Sequence, residues 1–146
     1  MSVVDELNDI LASERAEVEA TRKLIEELRH QAPDLADGLE TIHDSARWAC
    51  AGLYHVINHS GGVPALDIGS LADRLDRETE VVDKLKTLSR HQEAAIRQTK
   101  HILNREDMDE TAQGLLSEIV SIHQRNRDWL KEKIGEWTPD LERHTA

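Results

Sequence analysis

Apolar residues recur every third or fourth position through four long stretches of the chain, a period that fits amphipathic helices. The first stripe reads Leu7, Leu11, Glu14, Val18, Thr21, Ile25 and Leu28. It predicts a helix over residues 3–30, capped by Ser2 and ended by Ala32-Pro33. The second stripe, Leu39, Ile42, Ala46, Ala49, Leu53 and Val56, predicts a helix over 37–59. Asp37 and Glu40 form a capping box at its start, and Gly61-Gly62-Val63-Pro64 follows its end. The third helix spans 78–104 on Val81, Leu85, Leu88, Gln92, Ala95, Thr99 and Ile102. The fourth spans 108–137, capped by Asp107, closed before Pro139, with Leu115, Ile119, Ile122, His123, Asn126, Leu130 and Ile134 inward.

Four amphipathic helices of similar length predict an all-α four-helix bundle. Short links at 31–36 and 105–107 make two antiparallel hairpins. The middle connection, with room for one helical turn around 70–75, could extend roughly 55 Å, against a helix length of roughly 35 Å. It is long enough for a crossover between helices 2 and 3, giving an up-down-down-up path. A loosely wrapped up-down path also fits that length.

The 146 residues are the length of a single domain, 1–146. Twenty-nine acids against 18 Lys and Arg give a formal charge of −11, which argues against sequence-independent binding to DNA, RNA or anionic lipid. No apolar run is long enough for a signal peptide or a membrane span, so a cytoplasmic protein is expected. The lone Cys50 fits a reducing compartment and reads as a small core residue.

Glu14 is a carboxylate in the middle of an otherwise aliphatic stripe, and burial there demands a metal, a cation, hydrogen-bond donors or a retained proton. Gln92 and Asn126 sit at the centres of the third and fourth stripes, and His123 lies one turn from Asn126. Folding back about residue 106 brings Gln92 and His123 to similar depth. The functional reading is a metal or small-ligand site, with Glu14 and His123 as metal ligands and Gln92 and Asn126 as weaker ligands or orienting groups. Iron, manganese and zinc are the candidate ions. The structural reading of the same residues is a satisfied polar network that fixes helix register.

Other histidine patterns are weaker. His55 and His59 are four residues apart but project away from the apolar stripe. His123 and Asp128 have a five-residue spacing without a companion His-x-x-x-Glu, and Asp128 points outward.

Several short stretches resemble the ferritin-like superfamily, most closely an uncharacterised bacterial family of small ferritin-like four-helix proteins. They are Leu11-Ala12-Ser13-Glu14-Arg15-Ala16, Asp44-Ser45-Ala46-Arg47-Trp48, Gly61-Gly62-Val63-Pro64, Leu88-Ser89-Arg90-His91-Gln92 and His123-Gln124-Arg125-Asn126. The resemblance implies a four-helix fold and almost nothing about activity. Ferritin-like di-iron proteins draw a Glu from each of two helices and Glu-x-x-His from each of the other two. This chain departs from that pattern. Glu40 and His43 have the spacing but lie roughly 20 Å along the bundle from Glu14. Glu118 and His123 are rotated about 140° apart, and Glu93 points about 100° off its stripe.

Two function classes follow. One is a ferritin-like bundle with a reduced or degenerate metal site, used in metal binding or redox chemistry. The other is a non-catalytic helical interaction module with a structural polar layer. Three Trp residues in a small domain lead us to expect a homodimer, with Trp48 and Trp129 as candidates for its interface.

Overall fold

A computed structural model describes residues 1–138 of the chain. It contains α1 (Val3–Leu28), α2 (Pro33–His59), the short α3 (Leu71–Asp76), α4 (Val81–Leu103) and α5 (Glu110–Trp137), with no strand among the described residues. Pro139, expected to close the last helix, lies outside the described residues.

The helix ends differ from expectation in two places. Helix α2 starts at Pro33, four residues before Asp37, because proline at the first helical position has its φ preset and lacks only an N–H that would find no partner there. Asp37 and Glu40 form no capping box; both pair with Arg29 across the α1–α2 turn. At α5 the cap is Asp109, whose carboxylate accepts from Ala112 N at 2.8 Å, while Asp107 is engaged by Arg105. The α1 cap is as expected: Ser2 and Asp5 form a reciprocal box. Helix α2 ends in a Schellman motif, with Gly61 N on Asn58 O, Gly62 N on Ile57 O and Gly61 at φ +80°.

Paired residues fix the direction of every helix. Between α1 and α2 the partners are Arg15 with Tyr54, Thr21 with His43 and Arg29 with Asp37, an antiparallel run. Between α1 and α4 they are Ser13 with His91 and Glu27 with Lys84, also antiparallel. Helices α2 and α4 are therefore parallel, and α5 runs against α2 through Gly38 with Trp129, Ser45 with Asn126 and Gly52 with Leu115, and so against α4 as well. The path is up-down-down-up, so the crossover is present. It climbs alongside α1: Gly62 lies at Val4, Val63 and Ala65 bond Asn8, Gly69 lies at Ala16 and Asp76 pairs with Lys23. That spans about 28 Å of helix. Leu71 and Leu75 of α3 are buried within one of the two apolar clusters.

Those clusters lie at opposite ends of the bundle. One centres on Leu24, Leu28, Leu39, Leu85 and Leu88. The other centres on Leu7, Leu11, Leu53, Ile57 and Leu116. Between them lies a buried polar layer containing Glu14, Glu17, Gln92 and His123. No described helix is long and apolar enough to cross a membrane.

Candidate metal centre

On α1 the buried positions 7, 10, 14, 17, 21, 24 and 28 step alternately by three and four, with Leu11 and Ala20 buried beside them. That is the period of a helix facing a partner along one seam. It puts Glu14 and Glu17 on successive turns of the same face, where both carboxyl groups enter the core with 1% and 0% exposure. His123 on α5 and Gln92 on α4 project into the same layer.

The contacts form one chain. His123 Nε2 meets Glu14 Oε1, and His123 Nδ1 donates to Gln92 Oε1. The Gln92 amide then donates through Nε2 to Glu17 Oε1. His123 Nδ1 also lies 3.9 Å from Glu17 Oε1. One ligating atom each from Glu14, Glu17 and His123 falls within 4.8 Å of the others. Two ligands facing each other across one ion lie about 4.2 Å apart, so the group is of a size to hold a single metal once His123 Nε2 and Glu14 Oε1, now in direct contact, part to admit it. Two carboxylates and an imidazole suit iron, manganese or zinc better than a soft-ligand metal.

The second oxygens of both carboxylates, Glu14 Oε2 and Glu17 Oε2, are buried with no partner among the described residues. Burial pushes Glu17 up to about 8, with Glu14 adding to the shift and His123 and Gln92 opposing it. Burial works against charge on His123, but Glu14 and Glu17 outweigh it and raise the ring to about 9. Without a metal at neutral pH, the layer thus holds an imidazolium beside Glu14 and a protonated Glu17.

Sequence reasoning marked four residues. Three of them, Glu14, Gln92 and His123, are in mutual contact through the chain above. Asn126 is not part of it: one turn further along α5, it donates to Ser45 Oγ at 3.2 Å in the α2–α5 groove. Helix α2 supplies no ligand to the layer, only small and aliphatic side chains such as Ala46, Ala49 and Leu53. His43 takes Thr21 Oγ1 as its partner at 3.0 Å, Glu118 is exposed, and His55 and His59 stack on each other at the surface.

Two residues were missed. Glu17 was passed over for Val18, the more apolar neighbour: from Leu7, steps of four then three reach position 18, whereas steps of three then four, through Ile10 and Glu14, reach position 17. His91 is largely buried on α4, with Nε2 3.3 Å from Ser13 Oγ and 3.8 Å from Glu17 Oε1. Burial pulls it down to about 4, so it stays neutral. Its stripe neighbour Gln92 gave no hint of it.

The up-down-down-up path with its long crossover is that of a ferritin-like four-helix bundle. Residues 1–131 match the family described as a domain of unknown function, DUF6306, and the chain belongs to that family. No curated protein matches it. Among solved structures the fold is similar to a dodecameric thioferritin, the bacterioferritin-related protein of Bacteroides fragilis. The TM-score is 0.78 at 18% identity, covering 99% of this chain and 88% of that one. This finding corrects the homodimer, because the similar protein assembles twelve copies. Counting Trp residues gave the amount of apolar surface but not its distribution. A two-fold contact covers one patch per copy, whereas Trp48 on α2, Val63 and Leu66 on the crossover, and Trp137 at the end of α5 are exposed on separate elements. Trp129 packs instead against Gly38.

Proposed function

We propose that the Glu14–Glu17–His123 group holds one divalent transition-metal ion and that this chain is a metal-binding member of the ferritin-like fold, with iron ahead of manganese and zinc. The observation that carries the reading is the pair of buried, unpartnered carboxylate oxygens beside an imidazole. A dry bundle leaves such lone pairs vacant only at considerable cost, and a cation satisfies both. Gln92 keeps the role it has now: it accepts from His123 Nδ1–H and so turns Nε2 toward the ligand position. Glu17 and His123 each surrender a proton as the ion enters. A bound iron would supply one-electron redox chemistry, and the ordering of iron first leans on the thioferritin likeness. That likeness also supports an assembly larger than a dimer, which sedimentation velocity of the purified chain would measure.

The competing reading is a closed structural network, favoured by the fact that both ring nitrogens of His123 already have partners. Elemental analysis of protein purified without an affinity tag separates the two, together with melting curves in the presence of iron, manganese or zinc. Binding predicts near-stoichiometric metal, a rise in melting temperature, and loss of both in Glu14→Gln and Glu17→Gln with the fold retained. A wild-type melting temperature indifferent to every metal, with Glu14→Leu more stable than wild type, would establish the network instead.

A further inference from the structure

Arg15 follows Glu14 on α1 but turns outward, to a cleft of about 390 Å³ bounded by α1, α2 and the crossover. Its Nη1 donates to the Tyr54 hydroxyl, and the guanidinium carbon sits 5.9 Å from the centre of that ring. The third donor, Nε, is buried and has no acceptor among the described residues. Arg47 lines the same cleft from α2, and the described residues place no carboxylate in an ion pair with either arginine. Glu19, the acid that also borders the space, is held by Arg22 at 2.7 Å. The remaining wall is apolar, made by Val18, Ala51 and Ile68.

We propose that this cleft binds a small amphipathic anion, with its oxyanion head between the guanidinium groups of Arg15 and Arg47 and its apolar tail along Val18, Ala51 and Ile68. The volume lies within the range of small-molecule sites, and a mostly apolar wall with a few converging polar groups is their usual composition. Arginine favours carboxylate and phosphate because its planar fork meets two oxygens at once. In a chain of formal charge −11, two guanidinium groups facing one cleft also set it apart from the acidic surface around it. Binding is non-covalent: burial pushes the Cys50 thiol in this cleft up to about 12, Glu14 adds to that, and the thiol is no nucleophile at neutral pH.

The test is calorimetric titration of the full-length, metal-free protein with octanoate, octyl phosphate, octanol and acetate, alongside nitrogen-15 NMR of the Arg15 Nε–H. The expected result is saturable sub-millimolar binding of octanoate or octyl phosphate that shifts the Nε–H resonance. Whichever binds more tightly identifies the head as carboxylate or phosphate. Arg15→Met should weaken that binding at least about tenfold. Ile68→Asp, at a half-exposed crossover position outside the buried core, should do the same by replacing apolar wall along the tail with a charge. Binding of octanol equal to octanoate, no saturable binding of either anion, or full affinity in Ile68→Asp would overturn the proposal.

Discussion

Gly38 of α2 lies directly under the indole of Trp129 of α5: a Cβ added to this glycine would fall 2.0 Å from Trp129 Cζ2. In isolation alanine is the better helix former by about 1 kcal/mol. Here the rigid ring must swing away, and overpacking of that kind costs about 1–3 kcal/mol. Gly38→Ala is therefore expected to be destabilising. At Gly52 the nearest atoms are the tips of the flexible Leu115, the closest 2.7 Å away, so Gly52→Ala should be milder. Urea unfolding of the two variants side by side measures the difference, and a stabilised Gly38→Ala would contradict the packing described.

The polar layer makes the metal-free fold sensitive to alkali. Glu17 moves from 4.5 unfolded to about 8 folded, and His123 from 6.5 to about 9. Both bind their protons more tightly in the folded state. Each contribution is complete below the unfolded value and disappears as pH rises through the folded one. His91, pulled down to about 4 by burial, acts in the opposite sense, but only as pH falls below 6.5. The window from 6.5 to 9 isolates the pair. Melting temperature of the metal-free protein should fall across it, and Glu17→Gln should flatten the lower half. A profile flat over that window in the wild type would refute the assignment.

Gln92 orients His123 without a place in the Glu14–Glu17–His123 group itself. Replacing it with leucine removes the acceptor for His123 Nδ1–H and leaves Nε2 free to turn. Loss of such an outer partner commonly costs about 10- to 100-fold in metal affinity. Competition titration against a chelator should show that loss in Gln92→Leu, with the metal-to-protein ratio at saturation unchanged. Unaltered affinity would mean that the ring is held by packing alone.

Because the polar layer separates the two apolar clusters, they should respond independently. Leu53 belongs to one and Leu85 to the other, and both are fully buried. Either leucine changed to alanine should cost about 2–5 kcal/mol. The double variant should lose the sum within about 0.5 kcal/mol. A larger coupling in denaturant unfolding would show that the layer transmits packing from one half to the other.

The helices could be read from the sequence because their stripes are long and regular, and the crossover was within reach because loop length bounds what a connection can span. The direction of that loop was not, since length alone permits two paths and only the pairing of Asn8, Lys23 and Lys84 with distant residues distinguishes them. Glu14 stood out as a charge in an aliphatic face. Glu17 did not, because choosing the more apolar of two neighbouring positions hides any carboxylate that burial has forced to keep its proton. Asn126 lies one turn along α5 from His123, and stripe position alone did not show that its amide meets Ser45 of α2 in place of the layer. Asp107 and Asp109 are both plausible caps, and the choice falls to the one whose carboxylate reaches Ala112 N.

The crossover joins two hairpins that could each form from local contacts, α1 with α2 and α4 with α5, at low entropic cost. The layer draws Glu14 and Glu17 from the first hairpin and Gln92 and His123 from the second. Neither hairpin carries the group alone, so retention of the proposed metal would report on docking of the halves, not on helix content. A chain nicked within the exposed crossover near Leu66 should keep its helices under mild denaturant while releasing its ion as the halves part. The same protein would then show two transitions, one seen by metal and one by circular dichroism, from a single cooperative fold when uncut.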